Sequence, residues 1–325
     1  MIQRLKFKEA RKIYQELPNK LKLSSIDPLY VKNDAFNYKN AEGLYLLYKK
    51  NNNKWIHNCL IGDIMNTNYK DIFSSYGYGG PVSNFEDEGF INDANEAYIS
   101  WAASNNVIAE FIRYNPIIKN SKFYFAESSF NRSIVLVDLK KTNIFESYKK
   151  RTRRDIRKSY RDGVSISINN KKSFLNCFKK LYLETMKRHS ADNFYFFNDD
   201  YFDALLKNEN SFVATAILDK KEVSSAIFLI SGDYMDYHLS GTNNLGLNAN
   251  ANKALLHEAM LYGKSLGIKF ANLGGGYSQS KDDSLLNFKK GFSKDLTDFN
   301  IGKRILNSTI YNQLTKSNNK ILHWR

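Results

Sequence analysis

The segment KKRTRRDIRKSYRDG, residues 149 to 163, gathers Lys149, Lys150, Arg151, Arg153, Arg154, Arg157, Lys158 and Arg161 around one central acid, Asp155. Over residues 149 to 161 those eight cations and one anion leave +7, nearly half of the formal charge of +15 carried by the whole chain. Taken as a helix over 144–161, the segment puts Phe145, Tyr148, Ile156 and Tyr160 on one stripe and Lys150, Arg154, Arg157 and Arg161 on the other. A charged face that serves only solubility interleaves acids at i+4, and such partners are almost missing here. The chemistry open to this face is capture of an anion: a nucleic acid, a membrane surface or a phosphorylated small molecule.

Other side chains could act on a reacting group. In YMDYHLSG, alternation puts Met235, Tyr237 and Leu239 on one face and Asp236, His238 and Ser240 on the other. A carboxylate, an imidazole that titrates near neutrality and a hydroxyl can accept a proton from an amine, directly or through water. The same pattern is also the wet face of an ordinary antiparallel strand. Gly274 to Gly276 form either a loop that admits a phosphate or a tight turn, and Lys289 in LLNFKKGF is either a fixed cation for an oxyanion or a solvent-facing lysine. His57, His189, His257 and His323 show no ligand spacing, and no metal is expected.

The elements that must position these groups alternate between helix and strand. At 325 residues the chain exceeds what one core usually serves, and two domains are expected, 1–142 and 143–325, the pattern restarting near the basic helix. Hydrophobic content of 42%, aromatic content of 14% and only four prolines exclude a disordered chain. Cys59 and Cys177 are too few for a disulfide framework or a cysteine-rich metal site. MIQRLKFKEARKIYQEL lacks the apolar core of a secretory signal, and no window reaches the roughly 18 apolar residues of a membrane span. A cytoplasmic protein is expected, touching at most the inner face of a membrane through its charge.

The first half reads as a helix over 7–17, strands in GLYLLYKK and KWIHNCLIGDI, a helix over 92–104, and strands in NVIAEFIRY and SIVLVDL. The second half reads as the basic helix, the strand GVSISI, a helix from Ser173 to His189 and a short helix in NDDYFDALL. Strands in SFVATAIL, EVSSAIFLI and YMDYHLSG follow, then a helix over 252–266, the strand IKFANL, a helix through SLLNFKKGF, a strand near DFNIGKR and a terminal helix. This is an α/β (α+β) pattern with mixed, mostly antiparallel sheets flanked by helices.

Three stretches carry a resemblance. RTRRDIRKSYRDGVSI resembles the opening of the second domain of the FemABX family, transferases that add amino acids to cell-wall precursors, where an R-R-x-I-R-K-A-x-x-x-G-V pattern leads from helix into strand. YGYGGPV, residues 76 to 82, resembles the glycine-proline segment of that family's first domain. NLGGG and LLNFKKGF resemble its closing D-x-x-G and F-K-x-x-F elements, with Leu273 in the usual aspartate region and no heptad run for an inserted coiled coil. YGYGGP, FIRYNPIIKN and LGGG look closer to the family's relatives among polysaccharide-biosynthesis proteins.

The resemblance implies two tandem domains of the acetyltransferase-like GNAT fold and transfer of an activated acyl or aminoacyl group to an amine. It implies an acceptor that bears phosphate, a nucleotide- or lipid-linked amino sugar or muropeptide, held by Arg154 and Arg157, with Phe288 and Lys289 near the acyl group. Lys150 on the same helical stripe and Arg113 in FIRYNP are further anion contacts. Tyr76, Tyr78, Gly79 and Gly80 read as a wall of the acceptor groove, although either tyrosine also fits a core. SGTNNLGLN has Gly241 and Gly246 without the R/Q-x-x-G-x-G/A spacing that cradles the pyrophosphate of coenzyme A. Ser240, Gly241, Thr242, Gly274 and Gly275 are the expected donor contacts. No bound cofactor is expected, and the co-substrate is acyl-CoA or aminoacyl-tRNA. A strictly tRNA-dependent peptidoglycan aminoacyltransferase and a non-enzymatic nucleic-acid-binding protein are the alternatives.

Overall fold

The computed structural model describes residues 1–169, 175–280 and 282–317. In chain order its elements begin with β1 (Gln3–Arg4), α1 (Phe7–Gln15), α2 (Pro28–Asp34), β2 (Ala41–Lys50), β3 (Asn53–Asp63), β4 (Lys70–Phe73), β5 (Val82–Ser83), α3 (Glu88–Ser104), β6 (Val107–Arg113) and β7 (Glu127–Asp138). They continue with α4 (Lys150–Arg161), β8 (Ser165–Asn169), α5 (Leu175–Arg188), α6 (Asp199–Lys207), β9 (Ser211–Leu218), β10 (Lys221–Ser231) and β11 (Tyr234–Thr242). The last are α7 (Asn244–Asn248), α8 (Ala251–Ser265), β12 (Phe270–Gly275), α9 (Ser284–Lys289), β13 (Leu296–Ile305) and α10 (Ser308–Ser317). The start expected at Ser173, the end of the terminal helix and His323 lie outside the described residues.

Packing divides the chain into two units, Met1–Asn131 with the described residues from Asp298 on, and Arg132–Thr297. The division therefore falls before the 142/143 boundary read from the sequence, and the chain returns to the first unit at its end. That return has a cause in pairing, since Ile301 to Ile305 of β13 run antiparallel to Ala109 to Arg113 of β6.

Each unit contains a run of paired strands. The strand order is β1-β2-β3-β4-β6-β13 in the first, with β5 on β3, and β7-β12-β11-β10-β9-β8 in the second. One plan recurs. Three antiparallel strands (β2-β3-β4, β9-β10-β11) are followed by a helix (α3, α8) and by a strand parallel to the third (β6 on β4, β12 on β11). A parallel neighbour needs a crossover of a dozen or more residues, and the 17-residue α3 and 15-residue α8 supply it. A final antiparallel strand, β13 or β7, comes from a distant part of the chain.

The core of the second unit forms where α8 lays Leu255, Leu256, Ala259 and Met260 over Phe212, Phe228 and Met235. Gly263 lets the helix come close, since a Cβ there would stand 2.8 Å from the Met235 sulfur. The other side of the sheet receives α5 at Gly241, where a Cβ would stand 2.2 to 2.4 Å from the Leu181 and Tyr182 backbone. In the first unit the core encloses a polar knot. The Glu110 carboxylate, fully buried, meets His57 Nε2 at 2.6 Å and accepts from the Tyr98 and Tyr124 hydroxyls. Burial opposes a charge on His57, but Cys59 and Glu110 beside it push its pKa up to about 10.

The basic helix is shorter than its periodicity suggests. Phe145–Ser147 make a separate 3₁₀ turn, and α4 starts at Lys150 and buries Thr152, Asp155, Ile156 and Ser159. Tyr160 leaves the packed stripe assigned to it, is 39% exposed and donates to Glu258. The backbone contact at Gly241 gives a test. Gly241→Ala should lower stability by about 1–3 kcal/mol through overpacking, measured by urea denaturation; an unchanged midpoint would show that α5 yields freely.

Candidate active site

The second unit builds a site around the ammonium of Lys289. This side chain, the last of α9, is 7% exposed, and its Nζ donates to the Gly275 carbonyl at 2.7 Å and stands 5.9 Å from the centre of the Tyr237 ring. Burial is the main reason that its pKa falls to about 7; Arg132 adds to the fall and Asp283 opposes it. This burial overturns the alternative of a solvent-facing lysine.

Each glycine of the loop that covers Lys289 is fixed by a different contact. Gly274 has φ +74°, the left-handed region that glycine enters without cost, and a Cβ there would lie 3.2 Å from Lys289 Nζ. At Gly275 a Cβ would meet Arg132 at 2.9 Å, and at Gly276 it would strike the Asp283 carboxylate at 2.3 Å. Arg132 in turn donates to the Gly276 carbonyl at 2.7 Å. Asp283 caps α9 through the Leu286 amide and also accepts from the Ser278 amide and hydroxyl. Burial would raise the Asp283 pKa, but these donors hold it below the usual carboxylate range.

Asp236 reaches the same loop through one intermediary. Asn272 Nδ2 donates to Asp236 Oδ1 at 2.9 Å, and Asn272 Oδ1 accepts from the Gly274 amide at 2.9 Å. Asp236 thus positions the loop. The expected sharing of a face by Asp236, His238 and Ser240 does not occur, because β11 pairs with β10 through a bulge in which Ile227 faces Leu239 and Phe228 faces Tyr237. His238 is the extra residue. Ser240 is returned to Tyr237, whose hydroxyl donates to Ser240 Oγ at 2.6 Å. His238 Nε2 meets the Tyr201 hydroxyl of α6 at 2.8 Å, and burial pulls its pKa down to about 3, so the ring is neutral.

The other donor residues read from the sequence have contacts of their own. Gly241 is occupied by the α5 backbone, and Thr242 pairs with Ser224 through its hydroxyl and accepts Arg188 at its carbonyl at 2.8 Å. Both are places where α5 is fastened to the sheet. Gly274 and Gly275 are brought to Lys289. Phe288, its neighbour, packs edge-on against Phe292 at 5.8 Å.

Of the basic helix, the N-terminal end approaches this site: the Lys149 amide donates to the Gly291 carbonyl, and a Cβ on Gly291 would meet Thr152 Oγ1 at 2.3 Å. Arg154 and Arg157 point outward, with side chains 71% and 63% exposed, and Lys150 is exposed too. An enclosed grip on one phosphate is therefore not what this face forms by itself.

The first unit holds the remaining predicted residues. Tyr76 NH donates to Asp34 Oδ2 at 2.8 Å and its carbonyl accepts the Tyr30 hydroxyl; Gly79 NH donates to the Arg113 carbonyl. Buried Asn120 donates to the Gly79 and Pro81 carbonyls, and Gly77 and Gly80 adopt φ of +95° and +86°. Tyr78 stands edge-on to Phe299 at 5.2 Å, and Arg113 lies over the Phe111 ring at 5.2 Å. Tyr76, Tyr78, Gly79 and Gly80 thus lie on one tied loop, which Gly79 joins to the Arg113 carbonyl at the end of β6. Asp34, missed in the sequence, is fully buried, which raises its pKa to about 6 against the pull of the Tyr76 amide. No group of three or more His, Cys, Asp or Glu arranged for a metal occurs among the described residues, nor does a helix there have the length and apolarity to cross a membrane.

Comparison with known proteins gives this geometry a family context. Residues 123–222 match the model of the FemAB family. The UDP-N-acetylmuramoylpentapeptide-lysine N(6)-alanyltransferase of Weissella viridescens is 28% identical over 171 residues, which are 52% of this chain and 51% of that protein. The chain therefore spans about half the length of this relative in the match. The crystal structure of FemX superposes with a TM-score of 0.74 over 97% of this chain and 99% of the other, at 14% identity. The C-terminal domain of a putative lysylphosphatidylglycerol synthetase from Agrobacterium fabrum gives 0.64 over 96% and 95%, at 13% identity. At such identities the structures show the fold alone, a mixed α/β fold. The middle third of the chain, which opens the second unit, is thus the part similar to the FemAB family.

The Lys289 pKa has a consequence for stability. An unfolded lysine binds its proton up to about pH 10.5, whereas buried Lys289 loses it near 7. Between these values the unfolded state holds more protons, so the stability of the native protein rises with pH across that window. Denaturation at pH 7 and pH 10 should show this gain for the native sequence and a smaller one for Lys289→Met; equal gains would contradict the burial of the amine.

Proposed function

We propose that the protein is an amide-forming acyltransferase that moves an activated acyl or aminoacyl group onto an amine of a peptidoglycan-type cell-envelope precursor. The observation that carries this reading is Lys289 Nζ, buried against the Gly275 carbonyl beneath a loop of three glycines. An acyl carbonyl that displaces this protein carbonyl as the partner of Nζ would be polarised by a donor held at the site. The acceptor nitrogen then attacks the carbonyl carbon, the oxyanion forms against Lys289, and the bond from carbon to the oxygen or sulfur of the donor breaks. The amine proton leaves with the departing group. Protonated Lys289 stabilises the oxyanion, and its pKa near 7 also lets the same nitrogen pass a proton at neutral pH.

The acceptor we assign is a nucleotide- or lipid-linked amino sugar or muropeptide, and the donor an aminoacyl-tRNA or an acyl-CoA. The alanyltransferase relative, which by its name acts on a muramoylpentapeptide lysine, supports an envelope precursor of this kind. The tied loop with Tyr76, Tyr78 and Arg113 is the acceptor wall in this reading, and Asp34 fixes its backbone. The site of action is the cytoplasm, at the inner membrane face where the acceptor is lipid-linked.

Turnover of a radiolabelled acyl donor with a muramoylpentapeptide acceptor tests the reading. Lys289→Met should lower kcat on the order of 10²-fold, the usual effect of removing one oxyanion donor, with KM little changed. Lys289→Arg should recover part of the loss. A Lys289→Met enzyme with the native rate would remove the site.

A further inference from the structure

Asp34 ends α2 fully buried, and its two oxygens accept from neutral donors, the Tyr76 amide at 2.8 Å and Asn37 Nδ2 at 3.2 Å. Asn37 Oδ1 is buried without a partner among the described residues, so this amide is committed to the carboxylate. The charged and titratable groups that act on Asp34 are the Arg113 guanidinium, which favours the ionised form, and the Tyr38 phenol, which burial and Asp34 together keep protonated. Burial outweighs the donors and Arg113 and raises the Asp34 pKa to about 6. An aspartate in the unfolded chain loses its proton at about pH 3.9. Between that value and 6 the native state holds more protons, so the stability that protonated Asp34 contributes at low pH is lost as pH rises through 6. At neutral pH the buried anion thus costs stability, whereas an asparagine would offer Tyr76 an oxygen without that cost. Its charge calls for a role other than folding.

The loop that Asp34 touches is held unequally at its two ends. The far end is fixed by neutral bonds: Asn120 donates to the Gly79 and Pro81 carbonyls, the Gly79 amide donates to the Arg113 carbonyl, and a Cβ on Gly80 would meet Asn120 at 2.9 Å. The near end is tied to α2 at Tyr76, by its amide to Asp34 and by its carbonyl to the Tyr30 hydroxyl. Between the ends, Gly77 has φ +95°, and a Cβ there would meet nothing within 4 Å. Glycine is thus required at 77 by the backbone and not by crowding, which is the freedom a pivot needs. A carboxylate binds an amide more strongly than a neutral acid does. The Asp34 tie therefore depends on charge, and the Tyr30 tie does not.

We propose that Asp34 is the positioning residue of the acceptor wall, a latch that when ionised holds Tyr76 and the loop after it in the shape that receives the acceptor, and when protonated lets the near end of the loop turn about Gly77. What the loop receives rests on the acyl-transfer reading above. How the loop is held does not.

Hydrogen exchange of the peptide covering residues 74–81, followed by mass spectrometry on the full chain at pH 5 and pH 8 and corrected for the intrinsic exchange rate, tests the latch. In the native protein the protection of this peptide should fall about tenfold at pH 5, where a neutral bond replaces the charge-assisted one. Asp34→Asn should show equal protection at both pH values. Asn37→Ala removes a donor that favours the charged form, so the midpoint of the change, near pH 6 in the native protein, should move to higher pH. Circular dichroism melting checks that both variants are folded. A native loop indifferent to pH, a fall of native size in Asp34→Asn, or an unmoved midpoint in Asn37→Ala would overturn the latch. With a muramoylpentapeptide acceptor at pH 8, Asp34→Asn should raise the acceptor KM about tenfold and leave kcat little changed. Exchange that follows Asp34 beside a native KM would overturn the acceptor wall and support the latch. Absence of acyl transfer in the native protein would leave the exchange result standing, so the two readings fail separately.

Discussion

A single amine out of water, with a peptide carbonyl as its near partner, is the constraint from which the second unit can be understood. Lys289 Nζ has Gly275 O at 2.7 Å and no carboxylate within ion-pairing distance among the described residues. Burying an ammonium in this way is costly unless it gives up its proton or finds compensation, and the low pKa expresses that cost. The surroundings keep it there. Asp283 locks the start of α9 and the turn after the glycines, and Arg132 crosses to the Gly276 carbonyl. Asp236 acts through Asn272 on the Gly274 amide. The geometry is thus made by acids and amides whose own requirements are met, which leaves the lysine as the group with unmet demand.

The elements of this protein were largely legible in its sequence, because their apolar periodicity is strong. The strands β9, β10 and β11 and the helix α8 stand within a residue or two of their expected limits. What could not be read were features set by partners distant in sequence. α2, though announced by Asp27 as its cap and Pro28 at its first position, is short, and β4 is shorter still and depends on packing that no local pattern announces. The membership of β13 in the first unit follows from its pairing with β6, nearly two hundred residues earlier, and alternation alone says nothing of a strand's neighbour.

For the site, the glycine run and the FKKGF helix pointed to one place, and the structure brings Gly274, Gly275 and Lys289 together. The strand YMDYHLSG was misread for a specific reason. A perfect two-residue alternation was assumed, and the bulge at His238 moves Ser240 to the side of Tyr237 and His238 to Tyr201. No residue in that strand is a glycine or proline at the bulge, so the sequence carried no sign of it. Asp34 and Asn120 were missed because an acid at the end of a short helix and an amide between strands look like solvent-facing residues. Only the fold shows that both are buried beneath the Tyr76–Pro81 loop.

The late return of the chain has a further meaning for how the molecule is made. The strand that finishes the first unit's run, β13, leaves the ribosome only after the whole of the second unit has been synthesised. Until then β6 has an open edge with unpaired amides and carbonyls, the kind of edge that invites association with other chains. Whereas domains generally fold as they emerge, the first born of these two must wait for the last residues before its edge is closed. Termination of translation just after the second unit would therefore leave the earlier-made half with the exposed defect.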